Sequence, residues 1–273
     1  MISAPYELGN PPGRDELLHA LAQQTPRLDL ATLAIARLGN PPLDVAPSLA
    51  KLDALGERVR QLSEHGAAEA LTTVLGEQEG FEGDRVVYDL PANSFLDQVL
   101  ERHRGLPILL SVLYLEVGRR AGLSVSGVAL PGHFIVRVGE ELIDPFNSGK
   151  RLTVAECQLI VKRASASAEF DKRMLAAPTP KAIATRILNN LKGSWLQRSE
   201  TDAALCAVDL LLALTPNHPS ELRLRAGLLM ELGAFRAALT DVETCLKEKP
   251  TPPDAISLMK TAEGLKRKVG RLH

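Results

Sequence analysis

Two side chains in this sequence have the types and spacing for proton-transfer chemistry: His133 and Asp144. They stand on apolar, alternating runs on either side of Gly139-Glu140-Glu141, a turn-like set. With a two-residue turn at Gly139-Glu140, Val138 faces Glu141 and His133 faces Phe146. Asp144 is then the diagonal neighbour of His133 on the same face, at about 7–8 Å between backbones and within side-chain reach. A slip of one residue would put the two on opposite faces. A carboxylate that holds an imidazole in one orientation makes it a general base, but acyl transfer also needs a nucleophile. Without one, the structural reading is the stronger: a hydrogen-bonded pair that holds the hairpin.

The candidates for that nucleophile are few. Ser111 lies in a greasy helical stretch, and a serine in mid-helix is expected to bond the carbonyl four residues back. Cys157, Cys206 and Cys245 are expected to be small buried hydrophobes in helices. Three widely spaced cysteines argue against a disulfide framework and for a reducing compartment, so a cytoplasmic protein is expected. His65, His103 and His218 sit near helix ends without carboxylates at ligand spacing, and no Cys-x-x-Cys pattern occurs, so neither a metal site nor a cofactor is expected. The run Glu101-Arg102-His103-Arg104 lacks a glycine-rich cradle and is expected to be a solvated face.

The elements that must position His133 and Asp144 follow from periodicity. The stretch 107–121 has no wide polar face in its first two turns, so a helix buried on most sides is predicted. Pro107 suits its first position, Arg119 and Arg120 suit its last turn, and Gly122 suits a left-handed cap. Strands are predicted over 125–130, 134–138 and 142–144, with 145–149 as a turn. Upstream, 1–14 reads as a loose lead-in. Helices are predicted over 15–24, capped by Asp15, and over 28–38, 44–65 and 67–75. The third carries the stripe Val45, Leu49, Leu52, Leu55, Val59 and Leu62. A short strand over 85–88 and a helix over 95–103 capped by Asn93 or Ser94 complete this half. Beyond the hairpin, Thr153 and Glu156 form a capping box for a helix over 153–164, and weaker helical character returns over 169–175.

From Lys181 the chain repeats. Ala203-Ala204-Leu205, Val208, Leu212 and Pro216 recur 34 positions later as Ala237-Ala238-Leu239, Val242, Leu246 and Pro250. That period, with small residues at a helix crossing and proline after the second helix, resembles tetratricopeptide repeats. Helix pairs are predicted at 181–198 with 201–214 and at 218–232 with 235–248, followed by a capping helix over 254–268.

The formal net charge of -1 supplies no field for nucleic acid or anionic lipid, so neither is expected as a partner. The longest apolar stretch, 106–115, is too short to span a bilayer, and the first residues show no charged-then-apolar leader pattern.

Four motifs carry a wider resemblance: EGFEGDR at 79–85, NSFLDQVLERHRGLPILLSVLYLEVGRRAGL at 93–123, LPGHFIVRV at 130–138 and IDPFNSG at 143–149. With them the chain resembles the bacterial invasion-gene-regulator (Sir-type) proteins, a branch of the transglutaminase-like superfamily with tetratricopeptide-like repeats at the C-terminus. The resemblance implies an α+β, mostly α fold. It comprises a transglutaminase-like (papain-like) core with a small antiparallel sheet, a helical N-terminal layer and a C-terminal helical array, divided as 1–178 and 179–273. It also implies that His133 and Asp144 match the superfamily's triad positions and that Pro107 stands in the cysteine slot. The expected function is a non-catalytic protein-interaction or regulatory role, with a protein partner bound through the repeats, the core cleft or both. The alternative is a hydrolase or acyl-transfer enzyme that uses His133 and Asp144 with an unrecognised nucleophile.

Overall fold

The computed structural model describes residues 8–164, 167, 169–248 and 250–270. The first part of the expected lead-in, 1–7, lies outside them. The chain divides into two compact units, one spanning Asp15–Ile187 and the other holding the chain from Leu188 onward together with the segment before Asp15.

The first unit opens with helices α1 (Arg14–Ala22), α2 (Leu28–Ala36), α3 (Ala46–Leu62) and α4 (Ala67–Leu71), which runs on into a π-helical stretch, Thr72–Gln78. Asp15 lies inside the first turn of α1 and does not cap it. Leu52, Leu55 and Val59 of the α3 stripe are buried, whereas Leu62 at its end is exposed. A two-residue strand β1 (Glu82–Gly83), helix α5 (Leu96–Arg102) and strand β2 (Arg104–Gly105) follow, and β1 pairs with β2 in parallel. The strand expected over 85–88 does not form. Asp84 Oδ1 accepts from the backbone N–H of Val86 (3.1 Å) and Val87 (3.0 Å), which curls the chain where an extended run was expected. Asn93 does not cap α5 either, because Phe95 holds the N-cap position. The Asn93 amide instead donates to Val87 O (2.7 Å), and its carbonyl accepts from Arg102 Nη1 (2.9 Å).

Helix α6 (Pro107–Arg120) is the centre of this unit, with every residue from Pro107 to Gly118 buried. Pro107 is its first residue. Gly122, at φ +78°, ends it in the left-handed region, and the Leu123 N–H donates back to Gly118 O at 2.9 Å. A Cβ on Gly56 of α3 would meet Arg120 Cβ at 2.5 Å, so the two helices cross closely there.

On the other side of α6 lies a four-stranded antiparallel sheet: β3 (Val125–Leu130), β4 (His133–Val138), β5 (Glu141–Asp144) and β6 (Lys150–Leu152), in that order. The register pairs Val138 with Glu141 and Val136 with Ile143, as the two-residue turn predicts. β6 is an addition, since only a turn was expected after Asp144. One sheet face carries Val128, Leu130, Ile135 and Leu142 against Cys157 and Val161 of α7 (Val154–Ala164). The other face carries Gly127 and Phe134 toward α6. The capping box of α7 forms: Glu156 accepts from the Thr153 N–H at 2.8 Å, and Thr153 Oγ1 accepts from the Glu156 N–H at 3.2 Å.

Helix α8 (Pro180–Gln197) leads into α9 (Thr201–Leu214), α10 (Pro219–Glu231), α11 (Phe235–Lys247) and α12 (Pro252–Gly270). The ends of α8 and α10, Gln197 and Glu231, and the starts of α9 and α11, Thr201 and Phe235, are each 34 residues apart. Within the second unit, Arg225 of α10 donates to Asp209 of α9 (2.7 Å) and to both oxygens of Asp241 of α11 (2.8 and 2.6 Å). A charge fixed between two carboxylates ties three consecutive helices together.

In the first unit the same device joins α6 to the helical layer. Asp29 of α2, fully buried, accepts from Arg120 Nη2 (2.6 Å), from Arg27 Nε and Nη2 (3.0 and 2.8 Å) and from the Leu30 N–H (2.9 Å). Burial opposes the charge on Asp29, but the hydrogen bonds from Arg27 and Arg120 outweigh it and bring its pKa down from 3.8 to about 2. A folded-state value below the unfolded one means that the stabilisation is complete above about pH 4 and disappears as the pH falls through about 2. Asp29→Asn is therefore expected to lower unfolding stability at neutral pH by about 3 kcal/mol. It should also flatten the acid limb of the stability curve, measured by urea denaturation between pH 2 and pH 7.

Candidate functional site

His133 opens β4 and Asp144 closes β5. Their side chains share the sheet face of Ile135 and Leu142, because alternate residues point to the same side. His133 Nε2 lies 2.9 Å from Asp144 Oδ2. The carboxylate is shared further: Oδ1 accepts from the Phe146 N–H (3.0 Å), and Oδ2 accepts from Asn147 Nδ2 (2.6 Å). The Phe146 ring stands edge-on to the imidazole, with centroids 5.9 Å apart. With Nε2 held by Asp144, Nδ1 is the ring nitrogen left over, and it has no hydrogen-bond partner among the described residues. On the far side of the strand, Arg186 of α8 donates to His133 O (2.9 Å) and Leu130 O (3.1 Å), which pins the hairpin end that carries the histidine.

The pair sits in the floor of a cleft of about 650 Å³. Its walls are Arg85 and Phe146 on one side and Leu159, Ile160 and Arg163 of α7 on the other, with Lys150 and Glu156 at one end. Among the described residues that line it, none carries a thiol or an aliphatic hydroxyl. Pro107 does not line it. Helix α6 does direct its N-terminus toward this end of the sheet. Successive contacts run from Gly118 against Val125, through Leu115 near Gly127, to the Ser111 hydroxyl on Phe134 O. The strand position of His133, however, puts its ring on the face turned away from α6.

The alternative nucleophiles are placed as follows. Ser111 is buried and donates to Phe134 O (3.1 Å), not to the carbonyl four residues back as expected, because the neighbouring strand offers an acceptor. Cys157 is on the cleft's sheet face but fully buried; burial first, then the charges of Glu156 and Asp144, push its thiol pKa up, opposite to what a nucleophile needs. Cys206 and Cys245 are buried in the repeat helices. No group of three His, Cys, Asp or Glu among the described residues could hold a metal.

The run Glu101–Arg104 is only in part the solvated face that was expected: Glu101 is exposed, but the next three residues are half-buried. Arg102 pairs with Asp84 (3.1 Å), and Arg104 pairs with Glu82 (2.7 Å). His103, in the left-handed region at φ 57°, stacks on Phe81 with centroids 4.3 Å apart. These contacts join β1, β2 and α5 beside the cleft, and only the positions of Asp84 and Phe81 in space show it.

A model of the transglutaminase-like superfamily matches residues 46–189, about half of the chain. This chain belongs to that superfamily. A tetratricopeptide-repeat model matches 191–263, so a transglutaminase-like domain is followed by repeats. A UPF0162 protein of Xylella fastidiosa is 36% identical over 190 residues, covering 67% of this chain and 68% of the relative. Protein SirB1 of Salmonella typhimurium is 29% identical over 257 residues, covering 92% of this chain and 91% of the relative. The chain thus falls in the invasion-gene-regulator branch of the superfamily. A human protein, F-box only protein 21, is 32% identical over 183 residues, covering 61% of this chain but 28% of that longer relative. No solved structure matches.

Within this transglutaminase-like domain, Asp144 orders the turn as well as the imidazole. Asp144→Ala leaves three donors without their acceptor and is expected to cost about 3 kcal/mol in urea denaturation, where His133→Ala should cost about 1 kcal/mol.

Proposed function

We propose that this chain is a non-catalytic protein-interaction or regulatory protein that reuses a transglutaminase-like fold. The observation that carries this reading is the cleft itself: an imidazole oriented by a carboxylate, with no thiol or hydroxyl among the described lining residues. Pro107, the first residue of α6, lies outside the lining of the cleft, and the resemblance that aligns it with the cysteine of the superfamily's enzymes supports the reading. So does the name of the Salmonella relative, from a family of invasion-gene regulators. His133 and Asp144 are vestigial triad positions in this reading, and the tetratricopeptide array supplies a second binding surface, as stacked helical repeats offer an extended concave face. No helix among the described residues is long and apolar enough to cross a membrane, and the near-zero net charge favours protein over nucleic acid or lipid as partner, in keeping with a cytoplasmic role.

One observation favours a second reading, a hydrolase or acyl-transfer enzyme: Nδ1 of His133 is left over and adjoins a cleft. The intact protein treated with a fluorophosphonate probe and an iodoacetamide probe separates the two. The expected result is no stoichiometric adduct that depends on His133. Labelling of wild type that vanishes in both His133→Ala and the milder His133→Gln, with melting temperatures preserved in at least one, would establish the enzyme instead.

A further inference from the structure

We propose that the His133–Asp144 cleft binds an acidic peptide segment that also carries aliphatic side chains. This rests on reading the cleft as a binding site and names what it takes. The first ground is charge. The cleft is lined by Arg85, Lys150 and Arg163 against Asp144 and Glu156. Both carboxylates are already engaged: Asp144 by His133, Asn147 and the Phe146 N–H, and Glu156 by Lys150 and Thr153. Arg85 bonds only a neutral group, Asn147 Oδ1 at 2.5 Å, and lies over the Phe146 ring at 5.2 Å. Neither Arg85 nor Arg163 has a carboxylate partner among the described residues. An excess of positive charge faces the cleft, and guanidinium groups with open forks recognise carboxylates.

The second ground is apolar exposure in and beside the cleft: Leu159 lines it, and Val86 and Tyr88 follow the lining residue Arg85 in the chain. On the Arg85 side, Val86 is 93% exposed and Tyr88 49% exposed, with the Tyr88 ring 6.0 Å from that of Phe146. On the α7 side, Leu159 is 54% exposed. Large aliphatic groups left in water beside a concave site mark a surface that is covered in use. Carboxylates spaced along a peptide meet Arg85 and Arg163 singly, while the intervening aliphatic side chains cover Val86 and Leu159.

The test is selection of a phage-displayed random dodecapeptide library on the intact protein, followed by fluorescence anisotropy with a selected peptide. Sequences enriched in Asp or Glu next to Leu, Ile or Val are expected. They should bind about tenfold more weakly to Arg85→Ala and to Arg163→Ala, the loss of one charged hydrogen-bonding partner. Both arginines are exposed, so unchanged melting temperatures are expected for both variants. Arg163→Glu should shift the selected sequences toward Lys and Arg. Neutral or basic consensus sequences on wild type, an absence of enrichment, or acidic peptides that bind the arginine variants as well as wild type would overturn the proposal. A His133-dependent covalent adduct together with unchanged acidic preference would overturn only the non-catalytic reading.

Discussion

Helix α6 has no polar face, and that constraint shapes the first unit. Twelve consecutive residues, from Pro107 to Gly118, must be removed from water on all sides. One sheet face and the α2–α3–α5 layer do this from opposite directions. Of the polar groups that the helix carries inside, the Tyr114 hydroxyl has no hydrogen-bond partner among the described residues, and the other two are answered. The Ser111 hydroxyl donates to strand β4, and Glu116 accepts from Arg119 and Arg120 at its own C-terminus. Arg120 then reaches Asp29 and Asp53, so the charged end of the most apolar helix becomes the clamp on the helices around it. Enclosing α6 also uses one face of the sheet, which leaves the other for α7 and the cleft.

Asp144 serves two purposes with one carboxylate. It orients His133, and it closes the turn after β5 by accepting from Phe146 and Asn147. A site residue that also holds a turn persists for folding whether or not chemistry remains, which is why the His–Asp pair alone does not mark an enzyme. The cleft is better characterised by what surrounds the pair: engaged carboxylates, open guanidinium groups and uncovered aliphatic side chains.

Local pattern made much of this legible. The buried helix, the two-residue turn with its register, the capping box of α7 and the 34-residue repeat are each written in neighbouring residues or a fixed period. The readings that failed share a cause. Asn93 looks like a helix cap in isolation, but Val87 and Arg102 compete successfully for its amide. Arg85–Tyr88 has the composition of a strand, but the Asp84 side chain curls the backbone first. Arg102 and Arg104 look solvated until Asp84 and Glu82 are brought beside them.

The sequence by itself determined most of the helices and the β-hairpin, that His133 and Asp144 share one face of it, and the absence of cysteine at the start of α6. Those follow from periodicity and residue type, which act over a few positions. Only the tertiary structure decided that the pair faces away from α6, that Cys157 shares its sheet face yet is sealed from solvent, and that Arg85 and Arg163 meet across one cleft. Those are outcomes of packing between distant segments, where the partner of a side chain is set by burial and competition, not by its neighbours in the chain.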